Sequence, residues 1–331
     1  MPLDPEAQRI IDRTPAEDPN ASGPLDVVAM REGFQQMWKM PDPLPEVGSV
    51  VNTTIPGPGG DLPVRIYTPE GEGPFPAFVW FHGGGWTIGG LDENEFSCRA
   101  VCAAADTIVM SVDYRLAPEN PFPAAADDAY AAVAWVAEHG AEIGADPAPS
   151  PGGVGGRPPT GKLPRIATGG ESAGGNLAAV AALKARDLGG PEIALQVLVS
   201  PVLGHPDDGR ASYSEFSEGY FLSKSSMDWF FVTYPTGPDD LDNPYLLPLR
   251  SKDLTGVAPA LILGAEYDVL RDEGEEYGAR LAEAGVRTEV VRCDGLIHAF
   301  FGPLATELSA AEKARDRAAA ALRAAFGTDG R

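Results

Sequence analysis

From residue 50 onward, short apolar runs alternate with longer stretches of helical spacing. The runs at 78–81, 107–112, 166–168, 195–199, 261–263 and 289–291 are too short for helices and mostly apolar, as expected of strands buried on both faces. Between and after them, residues 91–105, 124–139, 173–188, 273–284 and 306–326 read as helices. This alternation predicts a mostly parallel sheet covered by helices on both faces. Residues 50–55 and 62–67 read as a strand pair joined by a glycine-rich turn at 57–60, adding an antiparallel strand at one edge. There is no internal repeat.

Three stretches break the rhythm. Residues 1–45 hold helical patches at 6–11 and 25–40, stopped by Pro41, Pro43 and Pro45. Val28, Met30, Phe34, Met37, Trp38 and Met40 suit a helix packed on the core, or one wall of an apolar pocket; the two readings are compatible. Residues 203–250 carry aromatics from Tyr213 to Tyr234 without strand alternation and read as a helical excursion between two strands. The expected organisation is an N-terminal cap segment at 1–45, an α/β body at 46–202 and 251–331, and a second cap segment at 203–250. Residues 147–163 are rich in Pro and Gly and read as a flexible insertion, placed by the following strand at the amino-terminal edge of the sheet.

A chain of 331 residues suits one large α/β domain. With 25 Lys+Arg against 48 Asp+Glu the formal charge is −23, which repels phosphate backbones and anionic lipid. Nucleic-acid and membrane-surface partners are not expected. Cys98, Cys102 and Cys293 cannot form a disulfide framework and lack zinc-site spacing, so buried free thiols are expected. The first twenty residues lack an apolar core of signal-peptide length, and no run approaches a membrane span; a cytoplasmic protein is expected.

The chemistry centres on Gly170-Glu171-Ser172-Ala173-Gly174, a G-x-S-x-G pattern between a strand and an alanine-rich helix. A serine on such a turn sits at a helix N-terminus, with glycines letting neighbouring backbone approach. Serine needs a base to take its proton. Of the four histidines, His139 suits a helix C-terminus and His205 a loop, whereas His298 follows the last strand. The acid belongs after the strand at 261–263, where Glu266, Asp268, Asp272 and Glu273 are available. Asp268 lies between strand and helix; Asp272 and Glu273 suit a first helical turn for dipole reasons alone. His82-Gly83-Gly84-Gly85-Trp86 follows another strand, and its three glycines leave backbone N–H groups unshielded, as an oxyanion site requires. His82 is better placed to orient this loop than to act as a base.

These residues resemble the bacterial hormone-sensitive-lipase family of α/β-hydrolase esterases. The matching segments are 82–86 (HGGGW), 114–119 (YRLAPE), 121–125 (PFPAA), 170–176 (GESAGGN), 243–246 (NPYL), 270–274 (LRDEG) and 295–301 (GLIHAFF), in family order. The resemblance implies an α/β-hydrolase fold with an eight-stranded sheet and a small helical cap. It implies Ser172 as nucleophile, His298 as base and Asp268 as the acid that orients it. The oxyanion hole would be formed by two amides from Gly83, Gly84 and Gly85 with the N–H of Ala173; which two stays open. It implies hydrolysis of short-chain acyl esters through an acyl-enzyme, with no metal or cofactor, a small-molecule ester as partner, and a homodimer left open. Amidase or lactonase activity on the same triad is the alternative, and more remotely a non-catalytic receptor of the gibberellin-binding kind, which lacks the catalytic histidine that His298 supplies here. Two departures stand out: Glu171 where the family often has aspartate, and the insertion at 147–163.

Overall fold

The computed structural model describes residues 2–14, 26–37, 42–146 and 165–328. The insertion at 147–163 lies outside the described residues, as do Trp38 and Met40 and the side chain of Met37.

Eight strands form one sheet: β1 Ser49–Gly57, β2 Gly60–Thr68, β3 Ala77–Phe81, β4 Ile108–Val112, β5 Ile166–Glu171, β6 Leu195–Val199, β7 Ala260–Tyr267 and β8 Thr288–Ile297. Their order is β1-β2-β4-β3-β5-β6-β7-β8. From β4 through β8 every pairing is parallel. The antiparallel strand is not at the rim, as the sequence suggested, but second from it. β2 runs against β4 and β1 folds back along β2 to take the edge, because a two-residue hairpin turn reverses the chain immediately.

Helices α1 Pro5–Arg13, α2 Val27–Met37, α3 Glu95–Ala105, α4 Ala124–His139, α5 Ala173–Leu188, α6 Ser212–Glu215, α7 Lys224–Thr233, α8 Arg271–Glu283 and α9 Ala311–Phe326 complete the described fold. The strand pleat decides which face each side chain serves. In β3, Phe78 and Trp80 pack with Cys98 and Cys102 of α3 and Leu322 of α9. Val79 and Phe81 instead join Ala132 of α4, Leu177 of α5 and Leu281 of α8 on the other face. Such burial on both sides is worth about 25 cal/mol per Å² of apolar surface. Two thiols are buried as expected, but Cys293, on edge strand β8, is only partly covered because nothing pairs with its outer side among the described residues.

The last two strands outrun their apolar cores. β7 stays paired with β8 as far as Tyr267↔Ile297, past a bulge between Ala265 and Tyr267. Asp268 therefore follows its strand directly instead of standing a few residues beyond it. Among the described residues no helix is long and apolar enough to cross a membrane.

Candidate active site

Ser172 is the hinge between β5 and α5, with φ 60° and ψ −121°. Few non-glycine residues adopt this conformation, at a cost of about 1–3 kcal/mol. Surrounding bonds hold it: its N–H donates to Val199 O at 2.9 Å, and its carbonyl accepts from Asn176 N at 3.0 Å. The turn is tight enough that a Cβ on Gly174 would come within 2.0 Å of Phe81 O, so only glycine fits there.

The glycine loop after β3 passes directly against the serine. A Cβ on Gly83 would lie 3.5 Å from Ser172 Cβ. Gly85 has φ +55°, and a Cβ there would meet the Phe230 ring at 2.1 Å, so α7 closes over the loop. His82 anchors the loop from below, stacked on Tyr114 at 4.2 Å with Nδ1 2.7 Å from Gly83 O. Burial pushes its imidazolium down to about 4, against the Gly83 contact. It is thus a neutral loop anchor, in line with the sequence reading.

His298 and Asp268 meet across the loops that follow β8 and β7. His298 Nδ1 lies 2.7 Å from Asp268 Oδ2, and both side chains are buried. A carboxylate accepts and a ring N–H donates in such a contact, which suits a neutral imidazole with its proton on Nδ1 and Nε2 open as an acceptor. Asp268 Oδ1 accepts the Leu270 N–H at 3.0 Å, which aligns the carboxylate. Burial opposes the imidazolium, but Asp268, by charge and hydrogen bond, and the charge of Glu171 outweigh it, raising the pKa above 6.5. His139 is held by Glu142 and stacks on Trp135, and His205 caps a short 3₁₀ turn, so neither enters the site.

Ser172 and His298 line one cavity of about 90 Å³ with the three loop glycines, Phe34 of α2 and Phe230 of α7. Arg31 fastens α2 to this rim, donating to Thr87 O, Ala117 O and both oxygens of Glu119. α1 lies elsewhere: Ala7 and Ile10 pack in the α3–α9 layer.

Three residues of the surroundings have partners that the sequence did not reveal. Glu171 is fully buried and accepts Phe301 N–H through Oε1 and Gly302 N–H through Oε2, each at 2.9 Å. Burial pushes its carboxyl up to about 7, against His298 and the two N–H donors. Asn176 donates to Val202 O and Leu246 O and accepts from Trp86 Nε1, tying the serine helix to three loops. Glu273 serves more than a helix dipole: it is buried and accepts Leu203 N–H and Gly204 N–H, holding the exit of β6. In the sequence Glu171 shows as a departure from the family's usual aspartate, Glu273 as an acid suited to a first helical turn, and Asn176 only as part of the motif at 170–176.

The family model for the alpha/beta hydrolase fold matches residues 78–302. The carboxylic ester hydrolase LipN of Mycobacterium tuberculosis is 43% identical over 282 residues, covering 83% of this chain and 70% of its own. Esterase LipI of the same organism is 40% identical, covering 96% and 98%. Among solved structures, the ester-hydrolase EH1AB1 from the Lake Arreo metagenome, complexed with a bipyridine phosphonate derivative, superposes with a TM-score of 0.86. Its identity is 37%, with 98% of this chain and 100% of that one covered. An esterase from Pyrobaculum calidifontis gives 0.83 at 36% identity, covering 98% and 99%. With the sheet order, the serine elbow and these likenesses in agreement, the chain belongs to the α/β-hydrolase family of hormone-sensitive-lipase-like esterases.

Proposed function

We propose that the chain is a serine carboxylesterase that hydrolyses short-chain acyl esters, with Ser172, His298 and Asp268 as its triad. The observation that carries this reading is the 2.7 Å contact between His298 Nδ1 and Asp268 Oδ2 on the cavity that Ser172 also lines.

Ser172 Oγ attacks the ester carbonyl carbon while its proton passes to His298 Nε2. The oxyanion is held by backbone N–H groups of the 83–85 loop and of Ala173, the first residue of α5. His298 gives its proton to the departing alcohol as the ester C–O bond breaks, leaving an acyl-serine. Water then attacks the acyl carbon, His298 takes the water's proton and returns it to Ser172 Oγ, and the carboxylic acid leaves. Asp268 holds the imidazole tautomer throughout and offsets its transient charge. Phe34 and Phe230, from the two cap segments, bound the cavity and would limit acyl length.

A panel of p-nitrophenyl esters from acetate to palmitate, run beside matched anilides, tests the reading. The expected result is highest kcat/KM at or below about C6 and negligible anilide cleavage. Preference for anilides would show an amidase, and binding without turnover a receptor.

A further inference from the structure

Five polar side chains line the cavity: Ser172, His298, Glu171, Asn94 and Glu93. The first two do the chemistry, both oxygens of Glu171 are taken by backbone N–H groups, and Asn94 Oδ1 accepts from Trp80 Nε1 at 3.2 Å. Glu93 is different. It is only 5% exposed, and its Oε2 has no hydrogen-bond partner among the described residues. It stands on the short 3₁₀ turn Asp92–Asn94, after the glycine loop, and its Oε2 lies near Gly90, as does Asp113 Oδ1. A buried carboxyl oxygen without a donor is costly, and the cost is removed when a ligand brings the donor. Burial, Asp92 and Asp113 raise the Glu93 pKa, against its backbone contacts, so its surroundings favour an incoming proton or positive charge.

We propose that Glu93 is a specificity-determining residue that recognises a hydrogen-bond donor, a hydroxyl or a protonated amine, on the part of the ester that enters the cavity. The assignment rests on the esterase reading and deepens it. A purely hydrocarbon acyl or alkyl group would leave Glu93 Oε2 unpaired, whereas a donor-bearing one satisfies it. Discrimination by an otherwise unpaired polar group is stronger than discrimination by an added methylene.

The test uses ester sets that differ in one terminal group. On the acyl side these are ethyl butanoate, ethyl 3-hydroxypropanoate and ethyl 3-aminopropanoate; on the alcohol side, propyl butanoate and 2-hydroxyethyl butanoate. Wild type, Glu93→Leu and Glu93→Gln are compared, with circular dichroism to establish folding. For at least one donor-bearing ester, its kcat/KM relative to the methyl isostere should fall about tenfold in Glu93→Leu, mainly through KM. Glu93→Gln, which keeps an acceptor oxygen, should lose less of a hydroxyl preference and most of an amine preference, which separates the two donors. A change of less than threefold in every pair, in whichever variant folds, overturns the assignment. Failure of the wild type to cleave ethyl butanoate and p-nitrophenyl butanoate would overturn the esterase reading and this one together.

Discussion

Glu171, the neighbour of the elbow serine, accepts the Gly302 N–H at 2.9 Å, so the serine turn is fastened to the segment just past His298. The fit is close: a Cβ on Gly302 would stand 2.5 Å from Glu171 Oε2. One carboxylate thus helps set the spacing between two loops about 130 residues apart in the chain, those that carry Ser172 and His298.

Glu171→Gln replaces one acceptor oxygen with an amide that must face a donor, so stability should fall by about 1–3 kcal/mol. The sign of its pH dependence follows from the raised carboxyl, at about 7 against an ordinary 4.5. A raised pKa favours the folded state at low pH, and that contribution is lost as pH rises through 7. The Tm advantage of wild type over the variant should therefore be larger at pH 5 than at pH 8. Removing the charge also makes the His298 imidazolium less favourable, so the acid limb of kcat/KM should move to lower pH. An unmoved limb would mean that Glu171 is structural only.

Asp268→Asn should lower kcat by several orders of magnitude. Asp272→Asn should cost far less, because Asp272 pairs with Arg271 and accepts Ser212 N–H instead of touching the imidazole. In wild type, kcat/KM should fall on the acid side around a pKa above 6.5, the direction in which His298 is shifted. Equal losses in the two variants would reassign the acid.

Ser172→Ala should abolish hydrolysis while leaving the fold intact. Ser172→Gly should do the same and raise Tm above that of Ser172→Ala, since glycine takes φ 60° without a Cβ clash. Equal melting temperatures would show that the turn stores no strain. Residual activity above a tenth of wild type would exclude Ser172 as nucleophile.

Arg31→Ala removes the hydrogen bonds that hold α2 to Thr87, Ala117 and Glu119. Because α2 carries Phe34 to the cavity, KM should rise severalfold on p-nitrophenyl butanoate, with a smaller change in kcat. Steady-state kinetics separate the two. A loss confined to kcat would place Arg31 in the reaction itself.

Replacing residues 149–161 with a four-residue linker should leave kcat/KM on a short ester within about threefold. The flanks are already joined by an Arg165–Asp146 ion pair at 2.6 Å, at the start of β5 and away from Ser172 at its end. Size-exclusion chromatography of the variant reports any change of assembly. A hundredfold loss in a folded protein would place the insertion at the active site.

The local features of this protein are written in its sequence. Apolar runs bounded by turn residues specify the strands, because strand burial depends on nearby side-chain pattern; α4 Ala124–His139 and α5 Ala173–Leu188 have the boundaries the spacing predicts. Ser172, Asp268 and His298 are legible as candidates because strand ends and glycine turns are local signals. The lengths of β7 and β8 are not, since Gly264 to Tyr267 become strand only by pairing with a partner segment distant in the chain. Nor could pattern reveal what Glu171, Glu273 and Glu93 do. An acidic residue in a motif looks the same whether it faces water or is buried. Only the tertiary structure decides which backbone donors come within 3 Å of it, and so whether its charge is held, shifted or left for a ligand.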